Sequence, residues 1–453
     1  MNRLIYEECG VFGIWLPGRE AVSTAVMGLI ALQHRGQESA GISWSQQGEL
    51  IDKRGMGLVE DVFRGFDYSI EACAAIGHVR YSTMGKSSLI NAQPLTFSSR
   101  MGPMALAHNG NLVNAPEIRT QLEQQGSIFQ TSSDIEVVAH LLARSTTTDL
   151  DGALVSALGQ VRGAYALLIL TPHRLLAVRD PHGIRPLVLG KFRGGWVAAS
   201  ETCALDTVGG EFVREVEPGE MVSLSSRGLE SIPLFPPRKQ AFCIFEYISF
   251  ARPDSVFNGR NVHNVRRELG RALAREAPAE ADIVTGVPDS SLSAAAGYAE
   301  AAGLPYETGL IRNRYLGRTF IRPCQQQRDL GVALKLNPIR GVVEGKRVVL
   351  VDDSLIRGTT SLRIVQMLKD AGAKEVHLRI ASPPITFGCG LGIDTKDELI
   401  AARMSSREIQ EYVGASSLEY LSPEGMVAAT DFKDCELCLG CFQGNHPIRR
   451  QEG

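Results

Sequence analysis

The chain has 453 residues, a formal net charge of −3 and 44% hydrophobic residues, enough for two or three domains with cores of their own. It has no basic run, which argues against coating nucleic acid, and no apolar stretch reaches the ~20 residues that span a bilayer. The first eight residues are too short and too acidic for a secretory signal. The expectation is a cytoplasmic protein whose nine cysteines are thiols or metal ligands rather than disulfides.

In chain order, Cys9-Gly10-Val11-Phe12-Gly13-Ile14-Trp15 predicts a strand opened by a cysteine. Residues 31–42 read as a helix end, a polar loop containing His34-Arg35-Gly36 and a strand. Gly77-His78-Val79-Arg80 is a strand that carries an arginine into a loop, and residues 105–112 are an apolar strand ending in Asn109-Gly110, a pair that also suits a tight hairpin turn. Thr131-Ser132-Ser133-Asp134 precedes a helix, where Asp134 suits an N-cap. Strand signals continue densely through residues 163–170, 176–180, 197–200 and 221–224. They end at the proline-rich stretch 231–240, read as the linker between two halves. Beyond it strand and helix alternate, as in βαβ units with a parallel sheet: a strand at 282–287, the loop Pro288-Asp289-Ser290-Ser291, a helix at 292–302, and strands at 347–351 and 375–380.

The most informative stretch is 348–361. Val348-Val349-Leu350-Val351 reads as a strand buried on both faces. Asp352 and Asp353 sit where it ends, followed by Ser354, Arg357, Gly358, Thr359 and Thr360 and a helix beginning near Ser361. Small hydroxylated residues at a strand-to-helix turn can present N–H groups to a phosphate, and paired carboxylates can hold sugar hydroxyls or a hard cation such as Mg²⁺.

The N-terminal spans together resemble the glutaminase domain of the N-terminal-nucleophile amidotransferases, a layered α/β/β/α sandwich. That resemblance implies Cys9 as nucleophile and its own α-amino group as base. A terminal amine titrates near ~8, so part of it is neutral at working pH. Residues 1–8 would then be a propeptide, removed to free that amine. It further implies that Arg80 pairs with the glutamine carboxylate, that Asp134 holds its ammonium, and that Asn109 and Gly110 form the oxyanion hole. His108 and His182 are read as structural.

The stretch 348–361 resembles the phosphoribosylpyrophosphate (PRPP) signature of type I phosphoribosyltransferases, with a doubly wound parallel sheet. The full chain resembles the glutamine PRPP amidotransferase family, in its iron–sulfur and propeptide-bearing branch. This family makes 5-phosphoribosylamine, the first committed step of purine synthesis. The domains implied are 1–8 propeptide, 9–238 glutaminase, 239–425 phosphoribosyltransferase and a 426–453 C-terminal segment. Asp352, Asp353, Ser354, Arg357, Gly358, Thr359, Thr360 and Lys335 would bind PRPP, with Ser290, Asp352 and Asp353 at Mg²⁺. Residues 313–335 resemble a lid. Glutamine, PRPP and inhibitory purine nucleotides would be the small-molecule partners, in a homotetramer or homodimer.

Cys435-Glu436-Leu437-Cys438-Leu439-Gly440-Cys441 contains two overlapping C-x-x-C pairs. By resemblance, Cys243, Cys389, Cys438 and Cys441 would hold a 4Fe–4S cluster, with zinc as the alternative. Cys73, Cys203 and Cys324 are expected to be free buried thiols. Of three rivals, a glucosamine-6-phosphate-type amidotransferase is contradicted by the Asp352-Asp353 signature, a PRPP-sensing regulator by the glutaminase-like site and the lack of an evident DNA-binding segment, and a phosphoribosyltransferase with an accessory domain is left to a Cys9→Ala test.

Overall fold

The computed structural model describes residues 9–81, 87–236, 238–313, 336–392, 399–433 and 436–448. The proposed propeptide, Lys335 with nearly all of the lid stretch, Cys324 and Cys435 lie outside the described residues.

The first half forms β1 (Gly10–Trp15), β2 (Ser39–Gln46), β3 (Glu49–Met56), β4 (Ala74–Arg80), β5 (Leu95–Ser99), β6 (Gly102–Leu112), β7 (Gly163–Leu170), β8 (Leu175–Arg179), β9 (Val188–Phe192), β10 (Gly195–Ala199), β11 (Glu211–Glu215), β12 (Glu220–Ser225) and β13 (Gly228–Pro233). They make two sheets, ordered β11-β9-β10-β1-β4-β2-β3 and β13-β12-β8-β7-β6-β5. Alternation along the strands explains the layering. Val11, Ile76, Ala105, Ala107, Ala166, Leu168, Ala177 and Val222 point between the sheets into one dry core. Phe12, Ile14, Ala75 and Val79 point the other way, onto the helices Ala21–Ala31 and Thr202–Val208. Leu106, Tyr165, Leu167 and Val178 pack on the helices Ala115–Gln124, Glu136–Arg144 and Leu150–Leu158. The result is the α/β/β/α sandwich.

The second half holds four parallel strands, Ile283–Gly286, Arg347–Asp352, Glu375–Ile380 and Ser417–Tyr420, adjacent in that order. Val348 and Leu350 meet the helices Thr359–Asp370 and Ser406–Val413 on one face. Val349 and Val351 meet Val262–Glu276 and Leu292–Ala302 on the other. Burial on both faces is why this strand reads as an unbroken apolar run.

The proline-rich stretch is not a free linker throughout. Ser231, Ile232 and Pro233 complete β13 against β12, where a proline is tolerated because β13 is an edge strand. Downstream, the backbone N–H groups of Ala241 and Cys243 donate to the carbonyls of His182 and Ile184, at 2.9 and 3.1 Å. Phe242–Cys243 then pairs in parallel with Leu437–Cys438. Residues 425 and 426 both lie inside the helix Pro423–Thr430. One apolar cluster joins the halves: Val113, Ala164 and Ile184 from the first pack with Phe242, Phe245 and Phe442 from the second.

Candidate functional site

Cys9 stands one residue before β1, which pairs with β4 through Gly10 opposite Val79. The next residue of β4 is Arg80, so thiol and guanidinium meet at the end of one ladder. The Cys9 Sγ–H points at the Tyr81 carbonyl, 3.4 Å away. Burial pushes the thiol up; the Tyr81 contact and the Arg80 charge oppose this, while Asp134 reinforces it. Cys9, Arg80 and Asp134 therefore share one electrostatic environment.

Asp134 is not a helix cap: the Glu136–Arg144 helix has no side-chain cap bond. One Asp134 oxygen accepts the Leu112 N–H at 2.9 Å, and the other lies 3.9 Å from His108 Nδ1. Asn109 and Gly110 are not a hairpin turn, because β6 runs straight through them to Leu112, paired residue for residue with β7. The Asn109 side chain is fully buried, and among the described residues neither its amide nitrogen nor its oxygen has a hydrogen-bond partner. Gly110 has φ 142°, and a Cβ there would stand 2.0 Å from the Ala164 carbonyl oxygen, so only glycine fits.

The histidines have structural partners. His78 Nε2 lies 3.0 Å from the His108 carbonyl, and burial, with Arg80 and His108 nearby, holds its imidazole down to about 3. His182 Nδ1 is 3.0 Å from the Lys239 carbonyl. Cys203 is buried, whereas Cys73 is exposed: it lies between buried Ala72 and Ala74 at the entry to β4 and faces outward.

A network that sequence reasoning missed lies behind Cys9. Arg35, 1% exposed, donates through Nε to the Cys9 carbonyl at 3.2 Å. Its terminal nitrogens hold Glu201 at 2.6 Å and Glu246 at 2.9 and 2.8 Å. Burial by itself would raise Glu201, but His34 and Arg35 outweigh it and hold this carboxyl well below the usual range. The His34-Arg35-Gly36 stretch carried a signal, since a glycine follows two basic residues. At Gly36 a Cβ would stand 2.6 Å from the backbone nitrogen of Arg80.

In the second half, Asp352 ends its strand and Asp353 follows, each 9% exposed. Asp352 Oδ1 accepts from Ser291 Oγ and from the Asp353 N–H, both at 2.9 Å. Asp353 accepts from Ser249 at 2.8 Å and Ser354 at 3.0 Å. The hydroxyl bound to Asp352 is thus that of Ser291, beside the expected Ser290. Burial, then the charge of Asp353, pushes the Asp352 carboxyl up to about 8. The helix starts at Thr359, two residues earlier than expected, because Gly358 at φ 73° forms its N-cap. Ser354, Arg357, Thr359 and Thr360 are half-buried around that turn, and the first N–H groups of the helix suit a phosphate.

Cys243 stands opposite Cys438 in the parallel pair. Burial, aided by the neighbouring cysteines, pushes both thiols up to about 12. Cys441 is raised by a hydrogen bond to Cys389, by burial and by the other two thiols. Asn111 and Arg185 hold the adjoining loop through the Gly390 and Leu391 carbonyls, at 2.7 and 2.9 Å. The four thiols thus influence one another electrostatically, yet among the described residues no three His, Cys, Asp or Glu side chains stand in a metal-holding arrangement.

Two family models match: a glutamine amidotransferase domain at residues 78–207 and a phosphoribosyl transferase domain at 254–381. An amidophosphoribosyltransferase of Bacillus subtilis is 52% identical over 449 residues, 97% of this chain and 94% of that one. A solved structure described as the allosteric regulatory enzyme of purine biosynthesis superposes with a TM-score of 0.94 at 51% identity, over 98% of this chain and 97% of its own. The glutamine PRPP amidotransferase of B. subtilis complexed with ADP and GMP gives 0.93 at 51% identity, over 98% of each chain. The chain belongs to the amidophosphoribosyltransferase family, in which ammonia released from glutamine displaces pyrophosphate from PRPP.

Proposed function

We propose that Cys9 attacks the glutamine amide, with its own α-amino group as base once residues 1–8 are removed. Arg80 pairs with the substrate carboxylate, Asp134 holds its ammonium, and Asn109 with the Gly110 N–H receives the oxyanion. The observation that carries this reading is the Asn109 amide. A buried amide without a partner costs roughly 1–3 kcal/mol, and such a cost is sensible where the partner is charge that develops only during reaction. Cys9→Ala should abolish glutamine-driven phosphoribosylamine formation and leave the ammonia-driven reaction. Equal loss of both would refute the assignment.

Released ammonia reaches C1 of PRPP through a dry passage toward Asp352, since water would protonate it. Asp352 and Asp353 orient the ribose, and Ser354, Arg357, Gly358, Thr359 and Thr360 cradle the 5-phosphate. The donor set fits Mg²⁺: two adjacent buried carboxylates, one raised to about 8, are what a hard cation would stabilise. Asp352 and Asp353 would hold the ion, with Ser290 in its surroundings. When bound, Mg²⁺ supplies charge stabilisation of the departing pyrophosphate. Lys335 is proposed at the same pyrophosphate.

On the family resemblance a 4Fe–4S cluster held by Cys243, Cys389, Cys438 and Cys441 is also proposed, with zinc as the second reading, although only three of these thiols are buried and Cys389 is partly exposed. The family's reaction transfers no electrons, so the cluster would be structural or regulatory. Iron and acid-labile sulfide in purified protein would support it; zinc without sulfide would replace it. The segment boundaries at 8, 238 and 425, a cytoplasmic location and a homotetramer or homodimer are proposed on the family resemblance alone. Purine nucleotides, seen on the B. subtilis relative as ADP and GMP, are proposed as inhibitors overlapping the PRPP pocket.

A further inference from the structure

One short segment touches both candidate sites. The turn Glu246–Phe250 is a single π-helical turn at the start of the second half. Its first residue, Glu246, is fully buried and grips Arg35 with both carboxylate oxygens, at 2.8 and 2.9 Å. Arg35 in turn donates to the Cys9 carbonyl. Its fourth residue, Ser249, donates to Asp353 at 2.8 Å. The backbone between them is clamped: Arg266, 1% exposed, donates to the Tyr247 carbonyl at 2.7 Å and the Ala251 carbonyl at 2.8 Å.

The path Cys9–Arg35–Glu246–Ser249–Asp353 thus crosses from one half to the other through hydrogen bonds and one turn. An apolar contact would yield to a shift of a few tenths of an ångström. A buried bidentate pair resists it, because turning either partner breaks two charge-assisted hydrogen bonds at once, leaving Arg35 to Glu201 and Glu246 to the longer 3.8 Å contact with Arg185. π-turns are rare and concentrate at functional sites. We propose that Glu246 is a positioning residue for Cys9 and that the Glu246–Phe250 turn is a rigid tie, through which a change at Asp353 alters the nucleophile. This rests on the roles given above to Cys9 and Asp353. Coupling of this kind requires a path with two discrete arrangements. Ser249 supplies one by donating to Asp353 or releasing it when ribose or cation claims that oxygen.

The test uses the full-length enzyme. Glu246→Gln keeps shape and one hydrogen bond but loses the charge. It should lower kcat for glutamate release by at least ~10-fold, with the KM for glutamine within about twofold. Ammonia-driven pyrophosphate release and its KM for PRPP should stay close to wild type. Equal loss of both reactions would mark Glu246 as merely structural and overturn the proposal.

The tie itself is read from Ser249, which is half-buried, so its variants fold even if Glu246→Gln does not. The quantity is the ratio of glutamine kcat/KM with and without PRPP and Mg²⁺. Ser249→Ala should pull that ratio toward one, and Ser249→Thr, which keeps the hydroxyl, should restore it. A ratio of one in the wild type, or one unchanged in Ser249→Ala, would overturn the tie. Glutamate release undiminished in Cys9→Ala would instead sink the nucleophile assignment, a separate failure.

Discussion

Burial sets the chemistry of the candidate site residues. Asn109 is the sharpest case, held without a partner among the described residues in the middle of a strand pairing. Asn109→Ala should cost glutamine-driven kcat about 10²–10³-fold while sparing the ammonia-driven rate. Steady-state assays with each nitrogen source check it. His78 makes a second prediction. Its folded pKa is held at about 3 against an ordinary 6.5. Below 6.5 the unfolded chain takes up a proton that the folded chain refuses, so stability is lost as pH falls, by up to ~1.4 kcal/mol per pH unit. Buried His108, also lowered, acts in the same direction. Urea titrations between pH 6.5 and 4.5 should show a shallower loss in His78→Asn than in wild type. Cys9, Arg80, Asp134 and the paired aspartates could be singled out as candidates in the sequence because each sits beside a glycine, hydroxyl or strand end of distinct chemistry. Arg35, Glu201 and Glu246 could not. Their pairing spans 166 and 211 residues, and beyond the glycine that follows His34-Arg35 nothing local signals it. The bond from Ser291 to Asp352 is a further contact that the sequence alone does not announce, since nothing in it says which of two adjacent serines points at Asp352.

At the scale of elements, the strand Arg347–Asp352 and the helix behind it carry the phosphate turn. Gly358 at φ 73° lets that helix begin at Thr359, and a Cβ there would stand 3.1 Å from Ile400 and 3.2 Å from Tyr412. Gly358→Ala should therefore destabilise by about 1–2 kcal/mol and raise the KM for PRPP more than the KM for glutamine. Parallel denaturation and kinetics test both parts. The buried parallel strand was readable from its unbroken apolar run, and the helix Leu292–Ala302 from its composition and flanks. The strand expected to end at Asn109-Gly110 runs on to Leu112, because pairing with β7 holds extended a dipeptide that locally favours a turn. The same override placed Ser231, Ile232 and Pro233 in β13 rather than in a linker.

For the whole molecule, the halves are two folds but share a core. Phe242, Phe245 and Phe442 pack with Val113, Ala164 and Ile184, and the buried Arg35–Glu246 pair crosses the same boundary. Separating them would strand charge and apolar surface alike. Scanning calorimetry should give one cooperative transition, not two; well-resolved separate transitions would contradict a shared core. That contact was beyond sequence reading, which located the halves but not their seam.

The central claim is that one chain makes ammonia at Cys9 and spends it at Asp352. The most direct measurement is glutamate and pyrophosphate release by the purified enzyme with glutamine, PRPP and Mg²⁺. Equal amounts of both, with glutamine-driven release lost in Cys9→Ala and ammonia-driven pyrophosphate release kept, is the predicted result. No glutamate release in the presence of PRPP and Mg²⁺, or release that survives Cys9→Ala, would contradict it.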